Sequence, residues 1–363
     1  MNRIIVIGSP GAGKSFFAKQ LQVLLHCPLY HMDNLYWHAD KSHLTHEALM
    51  ERLEEITPTE RWIIDGNYNR TLAYRMEHAD TVFFLDYPVE ACLEGIRQRV
   101  GQPRTDIPWV EETLDPEFLS FVTHFPVDSR PNILELLKKY PDKLVYRFAN
   151  REEADAFLIS CFPKEIAEVA GETGIRLITD HHVSGDLVYA LGTEYILKIS
   201  GEDGRLLRER QVNDFLEGKV PASRTVSYTV QNGVEFYLKS CVPGKNLIEA
   251  CIDQPTSLVS LLAEAIKTYH AIDTTDCQLR NPDSTGECFV HGDCCLPNIL
   301  VKDGAISGFI DTEASGLGDP WIDYAWAIWS LEYNLGTSDY TPLLLAALGI
   351  SYDEEKYVKY TSI

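Results

Sequence analysis

The chain holds 363 residues, 45% hydrophobic and 24% charged, the proportions of a soluble globular protein long enough for two domains or more. Its formal net charge of −22, from 32 basic and 54 acidic side chains, excludes ordinary nucleic-acid binding, which needs phosphate neutralisation. The same charge suits attraction of a cationic small molecule and equally suits plain solubility. No run of 18 apolar residues and no signal peptide occurs, so no membrane association is expected. Nine cysteines, an odd number without paired metal-ligand spacing, indicate reduced thiols and a cytoplasmic location.

The first predicted strand, 4–7, runs into Gly8-Ser9-Pro10-Gly11-Ala12-Gly13-Lys14-Ser15, and a helical pattern follows over 17–25. This is a Walker A loop in strand–loop–helix context. Gly8, Gly11 and Gly13 let backbone N–H groups wrap phosphates at a helix N-terminus, Lys14 reaches the terminal phosphates, and the Ser15 hydroxyl is placed to ligate Mg²⁺. Further strands are predicted at 29–31, 62–64, 81–85 and 144–146, with helices at 45–56, 88–99 and 130–139. That alternation implies an α/β domain, a doubly wound parallel sheet with helices on both faces. Asp33, Asp65 and Asp86 each follow a strand, at the edge where such sheets bind ligands. Asp86, just before Pro88, reads instead as a helix start.

His31-Met32-Asp33-Asn34-Leu35-Tyr36-Trp37, Trp62-Ile63-Ile64-Asp65-Gly66-Asn67-Tyr68 and Thr81-Val82-Phe83-Phe84-Leu85-Asp86 resemble phrases of the adenylate-kinase-like "topology modulation" P-loop family. The resemblance covers about residues 2–160 and implies a nucleotide-binding domain over 1–160. It places Arg97, Arg99 and Arg104 where such kinases carry a lid that clamps the transferring phosphate; a solvated helix face is the other reading of these arginines. Asp33 is a candidate for the acceptor side. A boundary falls near 158–164, with a new helical pattern from 164 to 170 and no long Gly/Ser linker.

Beyond the boundary, strands are predicted at 188–191 and 195–199 around a turn at Gly192, then a helix at 206–216, a strand at 234–239, a crossover at 240–242 and a helix at 257–270. The densest chemistry lies in 291–311. Asp293 and Asn298 precede an apolar run, Asp303-Gly304 forms a hairpin turn, and Asp311 ends the second strand. Phosphoryl transfer needs a carboxylate to orient an acceptor hydroxyl and take its proton, and an amide and second carboxylate to hold Mg²⁺ on the phosphates. Asp293, Asn298 and Asp311 supply that set in order. The adjacent Cys294 and Cys295 read as small loop residues.

His291-Gly292-Asp293 with Asn298, Ser307-Gly308-Phe309-Ile310-Asp311 and Asp319-Pro320-Trp321-Ile322-Asp323-Tyr324-Ala325 resemble the aminoglycoside phosphotransferases, specifically the 3′-type, over 161–363. The resemblance implies an α+β bilobal kinase-like domain, with an N-lobe over about 161–240 and a C-lobe over about 243–363. It implies Asp293 as catalytic base and Asn298 and Asp311 as Mg²⁺ ligands. Lys198 would pair the α/β-phosphates and be held by Glu209, a loop bearing Ser184 would cover the phosphates, and the backbone at Val242 would bind the base of ATP or GTP. Asp319 and Asp323 would brace the catalytic loop or contact the acceptor, although Asp319 before Pro320 also suits a helix cap. The stretch 278–290 is shorter than the family's helical insert, the chain stops before the family's final acidic helix, and Glu332 is the one acid nearby. The expectation is therefore a kinase for a small-molecule hydroxyl, aminoglycoside-like in one reading and tied there to antibiotic resistance. The alternative is a nucleotide-binding sensor whose shortened kinase half does not catalyse.

Overall fold

The structure, a computed structural model, describes residues 1–102, 104–179, 186–201 and 203–362, so Ser184 lies outside the described residues. By internal contacts the chain divides into two compact units. One is built on Met1–Ile175 with short pieces near Leu187 and Val234, and the other on Val188–Gln231 and Glu235–Ile363.

In the first unit, β1 (Arg3–Gly8), β2 (Leu29–His31), β3 (Trp62–Asp65), β4 (Thr81–Leu85) and β5 (Leu144–Phe148) form a parallel sheet in the order β2-β3-β1-β4-β5. The central β1 is apolar and buried from Ile4 to Gly8, as a parallel strand covered on both faces must be. Alternation divides the residues between the faces. Ile5, Ile7, Ile64, Val82 and Phe84 pack with Leu53, Met76, Phe125 and Ile133 from four helices between positions 46 and 139. Phe83 turns the other way, its ring 5.2 Å from Phe17 of helix Lys14–Leu25 and 4.9 Å from Phe157 of helix Arg151–Ser160. Helices therefore cover both faces. Asp86 does not cap helix Val89–Arg99, which begins after Pro88 without a side-chain cap. Its carboxylate accepts from Arg130 at 2.8 Å and Arg147 at 2.7 Å. These partners are 44 and 61 residues away, too far for local sequence to announce.

After residue 174 comes a second sheet, of β6 (Ile175–Thr179), β7 (Leu187–Leu191), β8 (Tyr195–Gly201), β9 (Thr225–Gln231) and β10 (Val234–Ser240), in the order β6-β7-β8-β10-β9. Helix Arg205–Leu216 lies in sequence between β8 and β9. Glu235, fully buried in β10, accepts from the N–H groups of Gly204 and Leu207 at 2.8 Å each, which anchors the start of that helix.

The remainder combines helices with short sheets of β11 (Lys245–Asn246), β13 (Ile299–Lys302) and β14 (Ala305–Phe309), and of β12 (Cys288–Val290) with β15 (Gly316–Gly318). Leu258, Leu262, Ile266 and Tyr269 form one stripe of helix Pro255–His270. They pack on Phe289, Ile299, Phe309, Ile328 and Leu331, each buried aliphatic side chain contributing about 1.5–3 kcal/mol. Among the described residues no helix is long and apolar enough to cross a membrane.

Candidate active site

β12 pairs with β15 and delivers the chain to the loop 291–298. Gly292 has φ 85, and a Cβ there would stand 2.6 Å from Asn281 Nδ2 and 2.8 Å from the Ala314 Cβ, so this close turn requires glycine. Asp323, fully buried on helix Trp321–Leu335, accepts the His291 N–H at 2.9 Å and the Gly292 N–H at 2.8 Å, and meets His270 Nε2 at 2.8 Å. His291 Nδ1 accepts the Asp293 N–H at 3.3 Å, which assigns the proton to Nε2, the donor to Ile310 O at 3.1 Å. Asn298 Nδ2 donates to the Asp293 carbonyl at 3.0 Å and to its Oδ2 at 2.8 Å.

The hairpin β13–β14 turns at Asp303 and Gly304, φ 53 and 80, the left-handed pair of a type I′ turn. At its open end the Ile310 N–H donates to Asn298 O at 3.0 Å. The residue preceding Asp311 is thereby bonded to both His291 and Asn298. Asp311 itself has φ 54, a left-handed backbone that costs a non-glycine residue on the order of 1 kcal/mol. Its Oδ1 accepts from Lys198 Nζ at 2.6 Å, and the same ammonium is 2.9 Å from Glu209 Oε2. The other Glu209 oxygen takes Lys239.

These charges shift one another. Burial alone would lower the Lys198 pKa, but Glu209, Asp311 and Glu313 outweigh it and hold the lysine charged well above its ordinary range. Burial alone would raise Glu209, and Lys239 with Lys198 reverse that, so it remains ionised. Burial raises Glu313, helped by Glu209. Carboxylate oxygens of Glu209, Asp311 and Glu313 lie within 4.8 Å of one another. The buried Glu313 Oε2 has no hydrogen-bond partner among the described residues.

A cavity of about 570 Å³ opens at Asp293, with Asn298, Asp283, Trp326, Trp329 and Tyr333 in its lining. A larger one, about 750 Å³, lies beside Lys245, Glu249 and Lys302 and contains none of the groups above. Asp319 stands elsewhere: it accepts the Trp321 N–H at 3.0 Å, Lys356 Nζ at 3.0 Å and the Tyr360 hydroxyl at 3.2 Å, tying the last helix to the fold. Val242, the last residue of the crossover 240–242, is buried. Cys294 and Cys295 are free and buried, their thiols pushed up by that burial.

In the first unit, Gly8, Gly11 and Gly13 all have positive φ. A Cβ on Gly11 would sit 2.0 Å from Cys92 O. Lys14 is lowered by burial, against the attraction of Asp65 and Asp33, and donates to Ser9 O at 3.2 Å. Ser15 hydrogen-bonds Asp106, whose carboxyl is held far below its usual range: burial would raise it, but Arg104 prevails. Arg104 meets Asp106 at 2.6 Å and Glu111 at 2.8 Å, and Arg99 meets Glu111 at 3.0 Å. Asp33 accepts from the Tyr68 hydroxyl at 2.7 Å, and His31 meets Asp65 at 2.7 Å. Arg97 is apart, exposed and paired with Glu94 at 3.5 Å.

Four features escaped the sequence reading. Lys239 and Glu313 complete the charged cluster; Glu313 lies two positions after Asp311 and could have been noticed there. His270 and the aromatic trio 326/329/333 had no local signal beyond an apolar helix pattern.

A family profile described as "Phosphotransferase enzyme family" matches residues 279–360. An aminoglycoside 3′-phosphotransferase of Enterococcus faecalis is 30% identical over 199 residues, 42% of this chain and 75% of that protein. One from Niallia circulans is 27% identical over 248 residues, 55% of this chain and 94% of that protein. The solved aminoglycoside phosphotransferase APH(3″)-Id of Streptomyces rimosus overlays with a TM-score of 0.47 at 20% identity, over 55% of this chain and 97% of that one. The chain belongs to the aminoglycoside phosphotransferase family. It is a kinase that phosphorylates a hydroxyl group of a small molecule.

Proposed function

We propose that the kinase half, 161–363, moves the terminal phosphoryl group of ATP or GTP to a hydroxyl seated in the cavity at Asp293. One observation carries the reading: the loop that presents Asp293 to the cavity is hydrogen-bonded to Ile310, so acceptor side and donor side share one rigid joint. Asp293 orients the acceptor hydroxyl and takes its proton, and the Asn298 amide fixes the carboxylate through Oδ2. Lys198 releases Asp311 to meet the α/β-phosphates while Glu209, held also by Lys239, keeps the ammonium in position. Val242 would contribute backbone contacts to the base.

The donor set fits Mg²⁺. It consists of hard oxygens from Asn298 and Asp311, with Glu313 nearby and one of its buried oxygens unpartnered. When bound, the ion would neutralise charge on the phosphates. Asp323 holds the loop from behind and Asp319 secures the last helix.

Residues 1–160 we read as a second nucleotide site, a P-loop domain. The Gly8–Gly13 loop supplies backbone donors, Lys14 and Ser15 face phosphate and metal, and Arg99 and Arg104 form the lid, with Arg97 outside it. Asp33 is its acceptor-side carboxylate. The acceptor of the kinase half is a small hydroxylated molecule, and the setting is cytoplasmic.

The test is phosphoryl transfer from labelled ATP or GTP with Mg²⁺ to a panel of hydroxylated small molecules. Asp293→Asn is expected to reduce kcat by about 10²–10⁴-fold with nucleotide still bound. Undiminished transfer by that variant would refute the assignment; nucleotide binding without transfer to any acceptor would favour the sensor reading.

A further inference from the structure

The cavity at Asp293 has one wall unlike the others. Helix Trp321–Leu335 contributes Trp326, Trp329, Ser330, Tyr333 and Asn334 to it, positions three and four apart that form one stripe. Trp329 and Tyr333 stack, with centroids 5.1 Å apart and planes 11° from parallel, and Trp326 meets Trp329 edge-on at 5.6 Å. Trp329 is 39% exposed and Tyr333 73%. Large aromatic side chains held together at a cavity mouth yet open to water mark a surface that a ligand covers.

The charge of the lining is equally specific. Among its described residues the only ionisable carboxylates are Asp283 and Asp293, and Asp293 is occupied with the acceptor hydroxyl. Glu332, the next acid on the helix, is spent outside the cavity, accepting from the Thr341 hydroxyl at 2.7 Å. A polyamine carrying several ammonium groups would find only one further carboxylate, the exposed Asp283, among the described residues of this lining, too few to select it.

We infer that the acceptor presents a flat, mostly uncharged ring to the Trp329–Tyr333 face and its hydroxyl to Asp293, the chemistry of a nucleoside or an aryl glycoside rather than a polyamine sugar. Stacking on aromatic side chains accepts any flat ring and requires no counter-charge. This rests on the phosphotransfer reading of the same cavity.

The experiment measures binding of adenosine, uridine, p-nitrophenyl β-glucoside and kanamycin to the full chain by saturation-transfer NMR and calorimetry. It uses the native protein, Trp329→Ala, Trp329→Phe and Tyr333→Ala, with circular-dichroism melts to verify folding. At least one flat-ring probe is expected to bind below about 1 mM and more tightly than kanamycin. Trp329→Ala should weaken it about tenfold or more, and Trp329→Phe, which keeps a ring, only about threefold. In transfer assays Trp329→Ala should raise KM by a larger factor than it lowers kcat. The inference falls if kanamycin binds more tightly than every flat-ring probe, if no flat-ring probe binds below about 1 mM, or if Trp329→Ala and Tyr333→Ala bind like the native chain. Asp293→Asn separates the two readings. If it abolishes transfer to kanamycin while Trp329→Ala does not affect it, phosphotransfer stands and the acceptor class is wrong. Transfer that survives Asp293→Asn removes the phosphotransfer reading itself.

Discussion

His270 illustrates how a single side chain couples the site to pH. Burial alone would lower its pKa; the bonds to Asp323 and Cys288 prevail and push it up to about 9. Unfolded, it titrates near 6.5. A folded pKa above the unfolded one means that the stabilisation is full below about 6.5 and is lost as pH rises through about 9. The contribution is on the order of 3 kcal/mol. The unfolding midpoint should therefore fall between pH 6.5 and 9.5, and His270→Gln should flatten that part of the profile; parallel profiles for the two proteins would show that the ion pair is not the cause. Asp323→Ala removes the acceptor of two buried N–H groups as well. We expect about 3–5 kcal/mol of lost stability in urea unfolding, and an unchanged midpoint would contradict the bracing role.

At the scale of elements, the loop 291–298 is held from several sides: by helix Trp321–Leu335 through Asp323, by the hairpin through Ile310, and by Ser315, whose hydroxyl donates to His291 O at 3.0 Å. Gly292 is where the chain passes closest to Asn281 and Ala314. Gly292→Ala adds both a clash and a strained φ, so it should cost about 1–3 kcal/mol and displace Asp293. Transfer should fall more than tenfold, since about 1 Å of misplacement is worth roughly 10²-fold. Native kcat in a folded Gly292→Ala protein would show that the loop tolerates movement. The charged cluster is also an element-level object. Lys198 comes from β8, Glu209 from the following helix, Lys239 from β10 and Asp311 from two residues beyond the end of β14.

For the whole molecule, the proposal of two nucleotide sites can be counted. Equilibrium binding of a labelled, non-hydrolysable nucleotide should reveal two sites per chain, with Lys14→Ala and Lys198→Ala each removing one. A single site in the native chain would eliminate one of the two assignments. Net charge acts at the same scale: for a cationic acceptor kcat/KM should drop as salt rises from about 50 to 500 mM, while a neutral acceptor should show no slope.

Sequence alone was sufficient for what is local. The glycine spacing before Lys14, the Asp303-Gly304 turn, the register of Asp293, Asn298 and Asp311 about a hairpin, and the alternating strands of 1–160 all follow from backbone sterics and hydrophobic period, which act over a few residues. Tertiary structure decided what depends on side chains meeting across long separations. Asp86 found Arg130 and Arg147, Glu209 acquired a second lysine in Lys239, Asp319 went to the last helix while Asp323 took the loop 291–298, and the helix after Asp319 turned its aromatic stripe to the cavity at Asp293. A buried charge must find its partner wherever packing brings one, and no window of neighbouring residues contains that information.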